Sequence, residues 1–151
     1  MSISLNLVIY KTKDEKLIED DVKTVQCEEL SPVLLDLLTD SFPLEELPVY
    51  FDESLEDCFE IECFNNSQIQ EILEMLKKHF VELIKYEHNA LVGGKSSENE
   101  VQLIETDTVN TSDDPINIAV ARLHILTGVI QLFEKKHLRL SDEIGAVIKL
   151  G

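Results

Sequence analysis

Apolar residues at alternate positions open the chain. Ile3, Leu5, Leu7 and Ile9 recur at period two within residues 2–10, the pattern of a strand with one buried face. Residues 11–21 are polar and predict a turn or loop, and residues 22–27 a short second strand. Ser31-Pro32 then predicts a helix start: a serine oxygen can satisfy the free N–H groups, and proline suits the first helical position. Val33, Leu34, Leu37 and Leu38 give helical spacing, and the helix is expected to end near Asp40, before Pro43, with Pro48 as a second breaker. Residues 58–64 alternate again, with Phe59, Ile61 and Cys63 on one face and Glu60 and Glu62 on the other, an antiparallel strand with an acidic outer side.

The period then changes to that of a helix. Ser67 with Gln70 three residues on resembles a capping box. Ile69, Ile72, Leu73, Leu76, Phe80, Leu83 and Ile84 form a stripe that Gly93-Gly94 ends. Residues 94–114 are rich in Ser, Thr, Asn, Asp and Glu, and predict a mobile loop or a hairpin. Asp114-Pro115 begins a second long helix, with Ile116, Ala119, Val120, Leu123, Leu126, Ile130 and Phe133 as its apolar face. For the last residues a short helix from Ser141 or a strand over 146–150 are both open. The expected fold is α+β: a small antiparallel sheet with two long amphipathic C-terminal helices packed on one face. Residues 1–151 are expected to form a single domain, strand-rich and acidic over 1–64 and helical over 67–137.

Charge alters this picture. Thirty acidic residues against 13 basic ones give a formal net charge of −17. Residues 14–62 hold 17 of the acids and only Lys16 and Lys23 as bases. Nucleic acids and anionic membranes require positive charge in their ligands, so direct binding to either is not expected. The favoured partner is a basic protein surface or a cation. Within the acidic run, Glu45, Glu46, Tyr50, Phe51, Asp52, Glu53, Glu56 and Asp57 mix carboxylates that steer with aromatics that anchor, and they are the candidate partner-binding residues. Tyr50 and Phe51 have an equally good reading as core.

The remaining chemistry is sparse. Cys27, Cys58 and Cys63 are an odd number without zinc-type pairing, and on a strand positions 58 and 63 point to opposite faces. His79, His88, His124 and His137 fall on the predicted helices, with His124 expected to be the most buried. Glu134 and His137 share the Glu-x-x-His spacing of di-iron bundles, but the second motif which that chemistry needs is missing. No phosphate-binding or nucleophile-elbow motif occurs. The expectation is therefore a binding protein and not an enzyme, with no metal and no cofactor. It would mask a basic partner, as an immunity protein masks a nuclease-type toxin or a small inhibitor masks a nucleic-acid-acting enzyme. A structural protein pairing through its helices as a homodimer is the alternative, and an uncharacterised enzyme a third. No apolar run reaches the ~18 residues of a membrane helix, and residues 1–10 carry no basic residue, so the expected location is the cytoplasm.

Overall fold

The computed structural model describes the backbone of residues 3–91 and 115–151, and the side chains of 3–89 and 120–151. The expected helix stop at Gly93-Gly94 and the loop or hairpin of 94–114 lie outside the described residues.

Strand β1 (Ile3–Lys13) turns directly into β2 (Lys16–Leu30), so the turn or loop expected over residues 11–21 shrinks to two residues. The turn is Asp14-Glu15, both with positive φ (51° and 65°), which is the geometry of a tight hairpin turn. No glycine marks it, so its position within residues 11–21 is not fixed by the sequence. The pairing slips twice, between Leu7 and Val8 and between Ile9 and Lys11. At the second slip the Tyr10 N–H leaves the ladder and donates to the Gly145 carbonyl at 2.8 Å. Asp21, with φ 52°, absorbs the opposing excess of β2.

Helix α1 (Pro32–Ser41) starts as its sequence predicts, with the Ser31 hydroxyl accepting from the Leu34 N–H at 3.1 Å. Strand β3 (Glu45–Tyr50) forms despite Pro48 and pairs antiparallel with β4 (Cys58–Cys63). Its other side meets β2 only at Val49 and Tyr50, so the missing N–H of Pro48 breaks no ladder there. A 3-10 turn (Asn66–Gln68) leads into α2 (Ile69–Leu91). The capping residue is Asn65, not Ser67: its side chain accepts from the Ser67 N–H at 2.8 Å. Helix α3 (Pro115–Arg139) lies antiparallel to α2, with Lys77–Glu134 and Arg122–Glu87 bridging the pair at 2.9 Å each. Strand β5 (Ala146–Leu150) resolves the ambiguous end of the sequence as a strand.

The strands close into a barrel in the order β1-β2-β3-β4-β5, with β5 returning to β1. This corrects the expected small antiparallel sheet with two long helices on one face. The sheet is closed, and it is mixed because β2 and β3 run parallel. Among the described residues three α-helices accompany it.

Two cores explain why. One draws Val8, Tyr10, Leu17, Val49, Ile61 and Val147 from all five strands and from no helix, so it fills the barrel. The other joins Leu5, Leu7 and Ile148 to Leu34 and Leu38 of α1 and to the inner faces of α2 and α3. Phe64 and Phe133 meet edge-on there, with centroids 5.6 Å apart. Strand β1 therefore buries both faces, and the single buried face predicted by alternation of Ile3 to Ile9 is only half of its role. On α3 the buried positions include Leu126, Val129, Leu132 and Phe133, while Val120 is 60% exposed. His124 falls off that stripe and is exposed, against expectation.

Candidate functional site

The candidate residues lie on the β3–β4 hairpin. Alternation along the two strands sends Leu47, Val49, Phe59 and Ile61 toward the barrel interior. It leaves Glu46, Pro48, Glu60 and Glu62 exposed on the outer face. Glu46 stands opposite Glu62, and Pro48 opposite Glu60. The Glu46 and Glu60 carboxyls are diagonal neighbours within hydrogen-bond reach. That contact and the charge of Glu46 raise the Glu60 pKa above the usual glutamate value. Neither carboxylate forms an ion pair with a base among the described residues.

Residues 51–57 connect the strands. The Phe51 N–H donates to the Asp57 carbonyl at 3.1 Å, closing the loop at its base. Asp52 accepts from the Ser54 N–H at 2.9 Å and from its hydroxyl, which lowers the Asp52 pKa. Leu55 takes a positive φ of 57°. Phe51 is 56% exposed and leans on Phe59 at 5.1 Å between centroids. That exposure sets aside the reading of Phe51 as core.

The other candidates divide. Tyr50 is half-buried, with the Lys16 ammonium 5.3 Å from its ring centroid, and so faces its own chain. Glu53 is taken by Lys11, which also reaches Asp20 at 3.5 Å, while Lys13 donates to the Glu53 carbonyl at 2.9 Å. The Lys11 contact holds the Glu53 carboxyl below its usual value and raises the lysine in return. Glu45 accepts from the Asn65 amide at 2.6 Å. Glu46, Asp52, Glu56 and Asp57 are exposed.

The acidic run of residues 14–62 thus does not gather into one surface. Glu53 of the hairpin and Asp20 converge on Lys11. Asp36 and Asp40 stand on the exposed side of α1. Glu28 lies beside Gly128 of α3. Two acids outside the candidate set, Glu60 and Glu62, complete the hairpin face, and the Phe59-Glu60-Ile61-Glu62-Cys63 alternation already marked them as outward. The pairing of Lys11 with Glu53, 42 positions away, had no such signal.

Among the described residues no group of three or more His, Cys, Asp or Glu side chains is placed to hold a metal ion. Cys63 is buried, whereas Cys27 and Cys58 are exposed. No described helix is long and apolar enough to cross a membrane. No family model, curated protein or solved structure matches the chain.

Proposed function

We propose that this protein is a binding protein that masks a basic protein surface through the outer face of its β3–β4 hairpin. The supporting observation is the apposition of Glu46 and Glu60. Two carboxylates side by side, with no base paired to either among the described residues, repel each other in the free protein. A lysine or arginine from a partner relieves that repulsion on binding, so the contact is worth more than an ordinary exposed pair. Glu62, Glu56 and Asp57 extend the negative face, and Phe51 supplies an exposed aromatic beside it. The partner class is a basic protein such as a nuclease-type toxin or another nucleic-acid-binding protein, held inactive as an immunity protein or inhibitor holds its target. The proposed location is the cytoplasm, a reducing compartment that suits three free thiols.

The test is to pass a panel of basic nucleic-acid-acting proteins over the immobilised chain and follow association by surface plasmon resonance. Association with the true partner should slow by about tenfold or more as salt is raised, because steering is screened. The pair Glu46→Gln and Glu60→Gln should weaken it without unfolding the protein. Binding insensitive to both changes would remove this reading.

A second reading, a structural protein that forms homodimers, is favoured by exposed apolar residues on the helices, Val81 and Ile84 on α2 and Val120 and Leu138 on α3. Sedimentation at high salt separates the two. A dimer that persists there supports the helical interface, and a monomer removes it.

A further inference from the structure

Two cavities adjoin across the side chains of Asn66 and Ile144. One, of about 290 Å³, sits where the C-terminal end of α3 meets the start of α2, and Lys136, His137 and Ser141 line it. The other, of about 180 Å³, opens beside the β1–β2 turn and reaches Leu17, Leu47 and Val147. These three belong to the apolar cluster inside the barrel. A chamber of mixed lining, with Lys136, Ser141 and Glu143 beside Ile69 and Ile144, therefore adjoins a more apolar one, and together they fall in the range of small-ligand sites, roughly 300–1,000 Å³. The Asn66 amide donates to the Ala146 carbonyl at 3.4 Å and fixes the shared wall.

Lys136 is the unexplained group. It is 3% exposed. Its ammonium has three donors, and the described residues supply one acceptor, the Leu140 carbonyl at 2.9 Å. It forms no ion pair among those residues. Burial lowers its pKa, and Glu143 on the same cavity opposes that only in part. Capping the last turn of α3 accounts for the Leu140 bond. It does not account for the burial, because a capping lysine ordinarily keeps its head in water. A buried charge without a counter-ion is costly, and methionine would cover the same core without that cost.

We propose that the joined cavities bind a small amphipathic anion, a monocarboxylate with a short unbranched apolar chain. Its carboxylate pairs with Lys136 and its chain lies against Leu17, Leu47 and Val147. Lys16 adds positive charge to the lining, against Glu15 and Glu143. The net charge of the chain does not oppose this, since exposed charges beyond about 8 Å are largely screened at physiological salt. The site uses none of the hairpin's carboxylates, although Leu47 and Pro48 of β3 line it.

Isothermal titration of the full chain with octanoate tests the proposal, with acetate as the head alone and octanol as the tail alone. Octanoate should bind at least about tenfold more tightly than either control. Lys136→Met, which keeps the stem and its volume, should weaken octanoate about tenfold or more, because truncating one partner of a buried charge pair is expensive. Ile144→Glu, at a 63% exposed position on the shared wall, should weaken it without touching the core. No heat from octanoate at millimolar concentration, equal binding of octanol, or full affinity in both variants would overturn the site.

Discussion

Cys63 faces inward at the end of β4, where burial and the charge of Glu45 push its thiol up to about 11. The thiolate is the reactive form, so Cys63 should be inert in the folded protein while Cys27 and Cys58 react. A maleimide followed by mass spectrometry should add two labels quickly, and the third only in denaturant. Glu60 carries the opposite message for stability. Its folded pKa is raised, so the unfolded chain gives up its proton first, and the contribution to stability falls as pH rises from 4.5 through the folded value. Glu60→Gln should therefore raise the melting temperature at neutral pH, and the gain should shrink as pH falls toward 4.5. Gly145 is constrained by space: a Cβ there would collide with the Tyr10 carbonyl oxygen, a backbone atom that cannot step aside. Gly145→Ala should cost about 1–3 kcal/mol in urea unfolding. Gly128→Ala should cost much less, since the obstacle there is the mobile carboxylate of Glu28.

At the scale of elements, the caps and the helix stripe make separate predictions. Asn65→Ala should remove about 1 kcal/mol of stability, measured by urea unfolding, because Asn65 rather than Ser67 satisfies the first N–H group of the turn into α2. Phe133→Ala should cost about 3–5 kcal/mol, since the ring is fully buried against Phe64. The helices and strands β1 and β4 were legible because local apolar spacing and caps define them. Of strand β2 only residues 22–27 were legible; its first part was not, because it is held by pairing with β1 and shows mostly polar residues after Ile18. Strand β3 was hidden by Pro48, which is harmless only because of where β2 stops pairing. Closure of the barrel is a relation between distant strands and leaves no local period. One trace of it was present: Val8 and Tyr10 are apolar on the face opposite Leu5 and Leu7, which an open sheet with one wet face does not need. The candidate site was legible as a list of exposed acids. The pairing of Glu53 with Lys11 was not, because β1 and the hairpin meet only in the fold.

At the scale of the whole molecule, closure rests on contacts between remote parts of the chain. The Ser4 hydroxyl donates to the Gly151 carbonyl across 147 positions. Non-local pairing of this kind slows folding, and stopped-flow refolding should show a phase in the millisecond-to-second range, slower than a helical bundle of this length. The two joints that flank the β3–β4 hairpin are short: two residue pairs to β2 on one side and one to β5 on the other. Lys11 adds a third tether through Glu53. The hairpin is thus the part of the ring that parts first when the barrel breathes, and its outward carboxylates ride on that motion. A protein that clamps those carboxylates also latches the ring. Amide hydrogens of Leu17 and Ile18, behind the clamped face, should then exchange more slowly with deuterium than in the free chain.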